Sequence, residues 1–102
     1  MIIHIVGFRF KDTVTEEQRK DVSRKLLSLA DTSGVIKAVS GGLEKSPEGK
    51  GKGYHQIYTL KFQRWEDLHF YQNYDHAHQI FNSETGQLSE DVLVWDYEDF
   101  QF

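Results

Sequence analysis

Tyr71, Tyr74 and His78 recur at steps of three or four residues within Trp65–Phe81, WEDLHFYQNYDHAHQIF, a stretch that also holds His69 and His76. An imidazole exchanges protons near neutral pH and binds metals, and a phenol donates a strong hydrogen bond. Trp65, Leu68 and Phe81 share the same spacing, so the six residues predict one face of a helix running from Trp65 to Phe81. Aliphatic residues alone would suffice to bury that face. Tyrosines and a histidine among them imply that something polar is met there. The competing reading is a packed core helix whose hydroxyls and imidazole find ordinary hydrogen-bond partners. A metal site built from His69, His76 and His78 fits poorly. His69 and His76 can share a helical face, but His76 and His78 cannot, and no carboxylate completes a set. No metal and no cofactor are expected.

The elements that must carry this stretch follow from the rest of the chain. Ile2–Phe10, IIHIVGFRF, is β-branched and aromatic and predicts a strand apolar on both faces. Thr15 and Gln18 form a capping-box pattern ahead of a helix to about Ala30, which Gly34 should end in a left-handed conformation. Val35–Leu43 reads as a second strand, with Gly41-Gly42 marking a bulge or a close backbone approach. Glu44–Gly53, EKSPEGKGKG, is a polar connection without the pattern of a phosphate loop. Tyr54–Phe62 is a third strand, and Val92–Tyr97 a fourth after a turn at Ser83–Gly86. The order is βαββαβ. This is the α+β, ferredoxin-like pattern of an antiparallel sheet with its helices on one face.

Composition narrows the function. A chain of 102 residues with 38% hydrophobic and 14% aromatic content is a single globular domain, residues 1–102. Its net charge of −4 and scattered Lys and Arg disfavour nucleic acid. With no cysteine there is no disulfide and no thiol nucleophile. Ile2–Phe10 is too short and too polar for a signal peptide or membrane span, so a cytoplasmic protein without membrane contact is expected.

Two helices can cover only one face of four strands. Taking Ile3, Ile5, Ile57 and Thr59 as the covered set leaves His4, Val6, Phe8, Tyr58, Leu60 and Phe62 as an open apolar patch. A patch of that size marks an interface, and a second copy packed sheet to sheet removes it. A two-fold homodimer is therefore expected.

Three stretches resemble the dimeric α/β-barrel, or stress-responsive A/B barrel, family: HIVGFRFKDTVTEEQ from His4, SPEGKGKGYHQIYTLKF from Ser46, and FYQNYDHAHQIF from Phe70 followed by DVLVWDYE. The resemblance implies ferredoxin-like subunits whose sheets pack into a barrel. It implies no single activity, since some members are stress-associated proteins, others resemble a cofactor-independent plant cyclase acting on a polyketide, and fungal biosynthetic pathways contain relatives. In the cyclase-like members a histidine and a tyrosine of this region act on the substrate. The histidine carries over to His78 as the general base. The tyrosine carries over to Tyr71 only with a one-residue insertion, leaving Tyr74 as the competing choice. The usual HPxH reads Asp75-His76-Ala77-His78, and a third-strand histidine is replaced by Gln56. His4 matches the first-strand histidine.

The enzyme reading thus places a pocket between helices and sheet, lined by His4, Tyr58, Tyr71, Tyr74, His78 and Trp95, with Phe8 and Gln56 added to the substrate-binding set. Its ligand would be an apolar small molecule. The alternative is a non-catalytic dimeric module in which His78 is a satisfied core residue.

Overall fold

A computed structural model describes all residues, Met1–Phe102. Four strands form one antiparallel sheet in the order β2-β3-β1-β4: β1 Ile2–Phe10, β2 Ile36–Leu43, β3 Gln56–Phe62 and β4 Ser89–Glu98. Helix α1, Glu16–Thr32, links β1 to β2. Helices α2, Trp65–Asn73, and α3, His76–Thr85, together with a short 3₁₀ turn, link β3 to β4. The chain is an α+β, ferredoxin-like fold. No helix is long and apolar enough to cross a membrane.

The capping box forms as its sequence requires. The Gln18 N–H donates to Thr15 Oγ1 and the Thr15 N–H to Gln18 Oε1, while Glu16 and Glu17 occupy the positive end of the α1 dipole. Val22, Leu26 and Leu29, spaced by three and four, bury the helix against the sheet. Gly34 is not left-handed. The helix runs two residues past Ala30 and is closed by Ser33, whose N–H donates to the Leu29 carbonyl. At Gly41 the close-approach expectation holds, because a Cβ there would sit 2.3 Å from the Tyr58 ring.

The expected sheet orientation is reversed. Val6, Phe8, Phe10, Tyr58, Leu60 and Phe62 pack beneath the helices with Val22, Leu26, Leu29, Leu68, Tyr71 and Phe81. The face that no helix covers carries Ile3, Ile5, Ile57, Leu93, Trp95 and Tyr97. Because β1 is apolar on both faces, its own alternation does not choose between them. The choice rests on volume: the Phe8, Phe10, Leu60 and Phe62 set fills the space below the helices more completely than Ile57 and Thr59 would.

The long helix expected over Trp65–Phe81 is two helices. Tyr74 leaves helical geometry and Asp75 caps α3, accepting a hydrogen bond from the Ala77 N–H at 3.0 Å and one from the Ser33 hydroxyl at 2.6 Å. Asp75 is buried, so this one carboxylate starts α3 and ties it to the end of α1. The turn expected at Ser83–Gly86 is the last turn of α3 running into the 3₁₀ segment.

Replacing Asp75 by Ala removes the cap and leaves the Ser33 hydroxyl buried without an acceptor, a loss of about 2 kcal/mol or more. Urea unfolding should show this as a lower midpoint at unchanged slope, with Asp75→Asn losing less.

Candidate functional site

The bend at Tyr74-Asp75 determines which side chains meet. It aligns α3 so that His78 lies under α2, and the His78 ring stacks on Tyr71 with centroids 4.1 Å apart and planes 27° from parallel. Tyr71 in turn meets His4 edge-on at 6.0 Å and packs against Phe62 at 5.2 Å. His4, Tyr71 and His78 line a cavity of about 260 Å³ with Val6, Phe8, Leu26, Phe81, Val92 and Val94. On its β4 side, Val92 and Val94 are exposed.

His4 is buried, and its Nδ1 lies 2.5 Å from Asp96 Oδ1. The pair is a direct consequence of the ladder, since His4 stands opposite Asp96 across β1 and β4. With Nδ1–H donated to the carboxylate, Nε2 is the nitrogen left for a ligand. From α2, the Gln72 amide donates to the other Asp96 oxygen at 3.4 Å. His78 Nε2 accepts from the Asn82 amide at 3.3 Å, one helical turn on, which puts the ring proton of neutral His78 on Nδ1.

Burial depresses the His78 pKa below its ordinary value. The Tyr71 backbone and the Asp75 carboxylate pull it back up, while His4 pushes the same way as burial. The imidazole is thus neutral at pH 7, and its one basic lone pair, on Nε2, takes up a proton in place of the Asn82 amide hydrogen bond. Burial, reinforced by Asp75, pushes the Tyr71 hydroxyl far above the usual phenol value, so it stays protonated. A neutral imidazole and a protonated phenol stacked in the wall of an apolar cavity suit proton abstraction with hydrogen-bond support.

Of the expected site residues, the fold brings together His4, Phe8, Tyr71 and His78. It separates the other four. Tyr74 is 66% exposed and faces His69, so Tyr71 is the tyrosine that meets His78. Gln56 and Tyr58 lie on the covered face but turn toward α1. There the Gln56 amide donates to the Arg19 carbonyl and to Ser23 Oγ, and the Tyr58 hydroxyl bonds Ser23. Trp95 stands on the opposite side of the sheet, one residue out of phase with Val94 and Asp96. His69 and His76 are exposed at the surface and do not converge with His78.

Asp96, Gln72 and Asn82 were not picked out by their spacing. Placing Asp96 opposite His4 needs the β1–β4 register, since a shift of one residue would put Trp95 or Tyr97 there instead.

The depressed His78 pKa has a consequence for stability. Above the unfolded value of about 6.5, both states hold a neutral imidazole and His78 contributes no pH dependence. As the pH falls below it, the unfolded chain takes up the proton first, and the native state loses stability down to the native pKa. Denaturant midpoints measured from pH 8 to pH 5 should therefore fall more for the wild type than for His78→Gln.

Residues 2–99 match the stress responsive A/B barrel domain. Olivetolic acid cyclase of Cannabis sativa is 27% identical over 94 residues, covering 92% of each chain. Hydroxynitrile lyase from Passiflora edulis shares the fold with a TM-score of 0.86 at 23% identity, over 99% of this chain and 95% of its own. A ferredoxin-like protein from Thermobifida fusca, described as dimeric, superposes with a TM-score of 0.79 at 21% identity, over 94% and 88% of the two chains. A domain match that spans all three helices and all four strands leaves one assignment: the chain belongs to the stress responsive A/B barrel family.

Proposed function

We propose that this protein binds an apolar, carbonyl-bearing small molecule in the His78 cavity and promotes cofactor-independent, aldol-type ring closure of a polyketide-like chain. The observation that carries the reading is the Tyr71–His78 stack in the cavity wall, with a neutral base beside a protonated donor. Similarity to olivetolic acid cyclase over most of the chain supports the substrate class. His78 takes a proton from the carbon between two carbonyls. The enolate oxygen accepts a hydrogen bond from the Tyr71 hydroxyl, and the enolate carbon attacks a third carbonyl farther along the same chain. The resulting alkoxide recovers the proton from His78. Only acid–base groups are needed, and the apolar lining folds the chain so that its ends approach. His4, oriented by Asp96, offers a second polar contact for a carbonyl or hydroxyl.

The working form is a two-fold homodimer closed through the uncovered sheet face. Trp95 and Tyr97 are 59% and 44% exposed on that face. An uncovered apolar face favours a second copy whichever side of the sheet it lies on. The dimeric description of the Thermobifida fusca neighbour supports it.

The test supplies a linear poly-β-keto thioester and follows ring-closed product by mass spectrometry. The wild type should accelerate closure over buffer. His78→Ala should lower kcat/KM by about 10²-fold or more, Tyr71→Phe should lower it substantially, and Tyr74→Phe should leave it unchanged. A wild type no faster than buffer, with no chemical-shift change at His78 on adding the thioester, would overturn the cyclase reading and leave a non-catalytic dimeric module.

A further inference from the structure

A second hollow of about 220 Å³ lies on the uncovered face of the sheet, away from His78. Its apolar lining comes from Ile5, Ile57, Leu93 and Trp95, and its cations are Lys50 and Lys52 of the connection between β2 and β3. Glu44 also lines it, but its carboxylate is engaged by the Ser46 N–H at 2.7 Å. At the other end of the same strands, β4 runs out into Asp99-Phe100-Gln101-Phe102, an acidic and aromatic segment whose Phe100 and Phe102 are 81% and 114% exposed. The two non-glycine residues with positive φ in the chain are Lys52, at 58°, and Phe100, at 53°. Backbone conformations of that kind cost energy and collect where a segment has a task. Here one stands at the hollow and the other in the exposed segment.

We propose that Asp99–Phe102 of one copy occupies this hollow on a second copy. The inference rests on the homodimer reading above and adds what the two copies exchange. Charge is complementary between Asp99 and Lys52, while Lys50 already pairs with Glu48 at 3.7 Å and Glu98 accepts from the Trp65 indole at 3.1 Å. So is shape, because an apolar cavity of about 150 Å³ already accepts a benzene ring. A chain cannot fill its own hollow. Glu98 pairs with Ile2 while Leu93 pairs with Gly7, so the two ends lie roughly 17 Å apart along β1. The Gln101 N–H also bonds back to the Glu98 carbonyl at 3.1 Å and curls the segment where it stands. A two-fold axis parallel to the sheets, midway between them and across the strands, brings each segment over the other copy's hollow, so both are filled at once, as an isologous contact requires.

The chain has no cysteine, which makes the contact directly readable. Phe100→Cys and Lys52→Cys are prepared separately, mixed in equal amounts, oxidised, and resolved by intact mass. Covalent heterodimer should dominate over either homodimer, and Lys20→Cys on α1 should give none with Phe100→Cys. In sedimentation equilibrium, Phe100→Ser/Phe102→Ser should raise the dimer Kd at least tenfold. Lys52→Glu should raise it too, and Asp99→Lys should recover part of that loss. A chain that is monomeric at all concentrations overturns the homodimer and this inference with it. A dimer that forms no such heterodimer and keeps its Kd in the Phe100→Ser/Phe102→Ser variant overturns this inference alone.

Discussion

His4 faces Asp96 because β1 and β4 pair in one particular register, and most of the site depends on that alignment. In a strand, adjacent residues point to opposite faces, so a slip of one residue would expose Asp96 on the uncovered side and bring Trp95 or Tyr97 beneath the helices. The same register sets Val92 and Val94 along the cavity and Leu93 and Trp95 away from it. It also supplies His4 with a carboxylate that fixes the ring proton and orientation of the imidazole. The Phe62–Tyr71 contact and the Tyr71–His78 stack continue from that point into α2 and α3. The polar end of the cavity is thus assembled from β1, β4, α2 and α3 by one pairing and one chain of ring contacts.

The second requirement is the bend between α2 and α3. An uninterrupted helix from Trp65 to Phe81 would place Tyr74 one turn above His78, the arrangement suggested by spacing alone. Asp75 prevents it. Its carboxylate serves the α3 N-terminus better than it would serve a helix interior, and the Ser33 hydroxyl gives it a buried donor. Once α3 starts anew, its phase relative to α2 is free, and Tyr71 rather than Tyr74 meets His78. The sequence contains this signal, since an Asp followed by a short amphipathic run is a helix start. It competes there with an unbroken pattern of apolar residues at helical spacing.

The strands, the capping box, the helix positions and the ferredoxin-like order were legible because each follows from local pattern. That His78, Tyr71, His4 and Phe8 would share one cavity was legible from helical spacing combined with the family resemblance. Sheet parity was not. It depends on how side-chain volumes on β1 and β3 fill the space under α1, a property of three segments at once. The misplacement of Trp95 follows from that uncertainty, and the omission of Asp96 from it and the β1–β4 register together. Gln56 and Tyr58 share the correct face, yet Ser23 and the Arg19 carbonyl draw their polar ends to α1. No pattern within β3 reports the polar groups that a helix elsewhere will present.

Strand β4 also couples the two faces of the sheet. It is an edge strand, hydrogen-bonded to β1 alone, and no helix packs firmly over it. Val92, Val94 and Asp96 serve the cavity while Leu93, Trp95 and Tyr97 look outward, so the same backbone carries both sets. Unpaired edges and uncovered aromatics are the features that fray first. Any partner that buries Trp95 and Tyr97 therefore restrains the strand that holds Asp96 against His4. Closing the outer face and ordering the polar end of the cavity would then be two effects of the same contact, because one edge strand walls the cavity and carries the exposed aromatics.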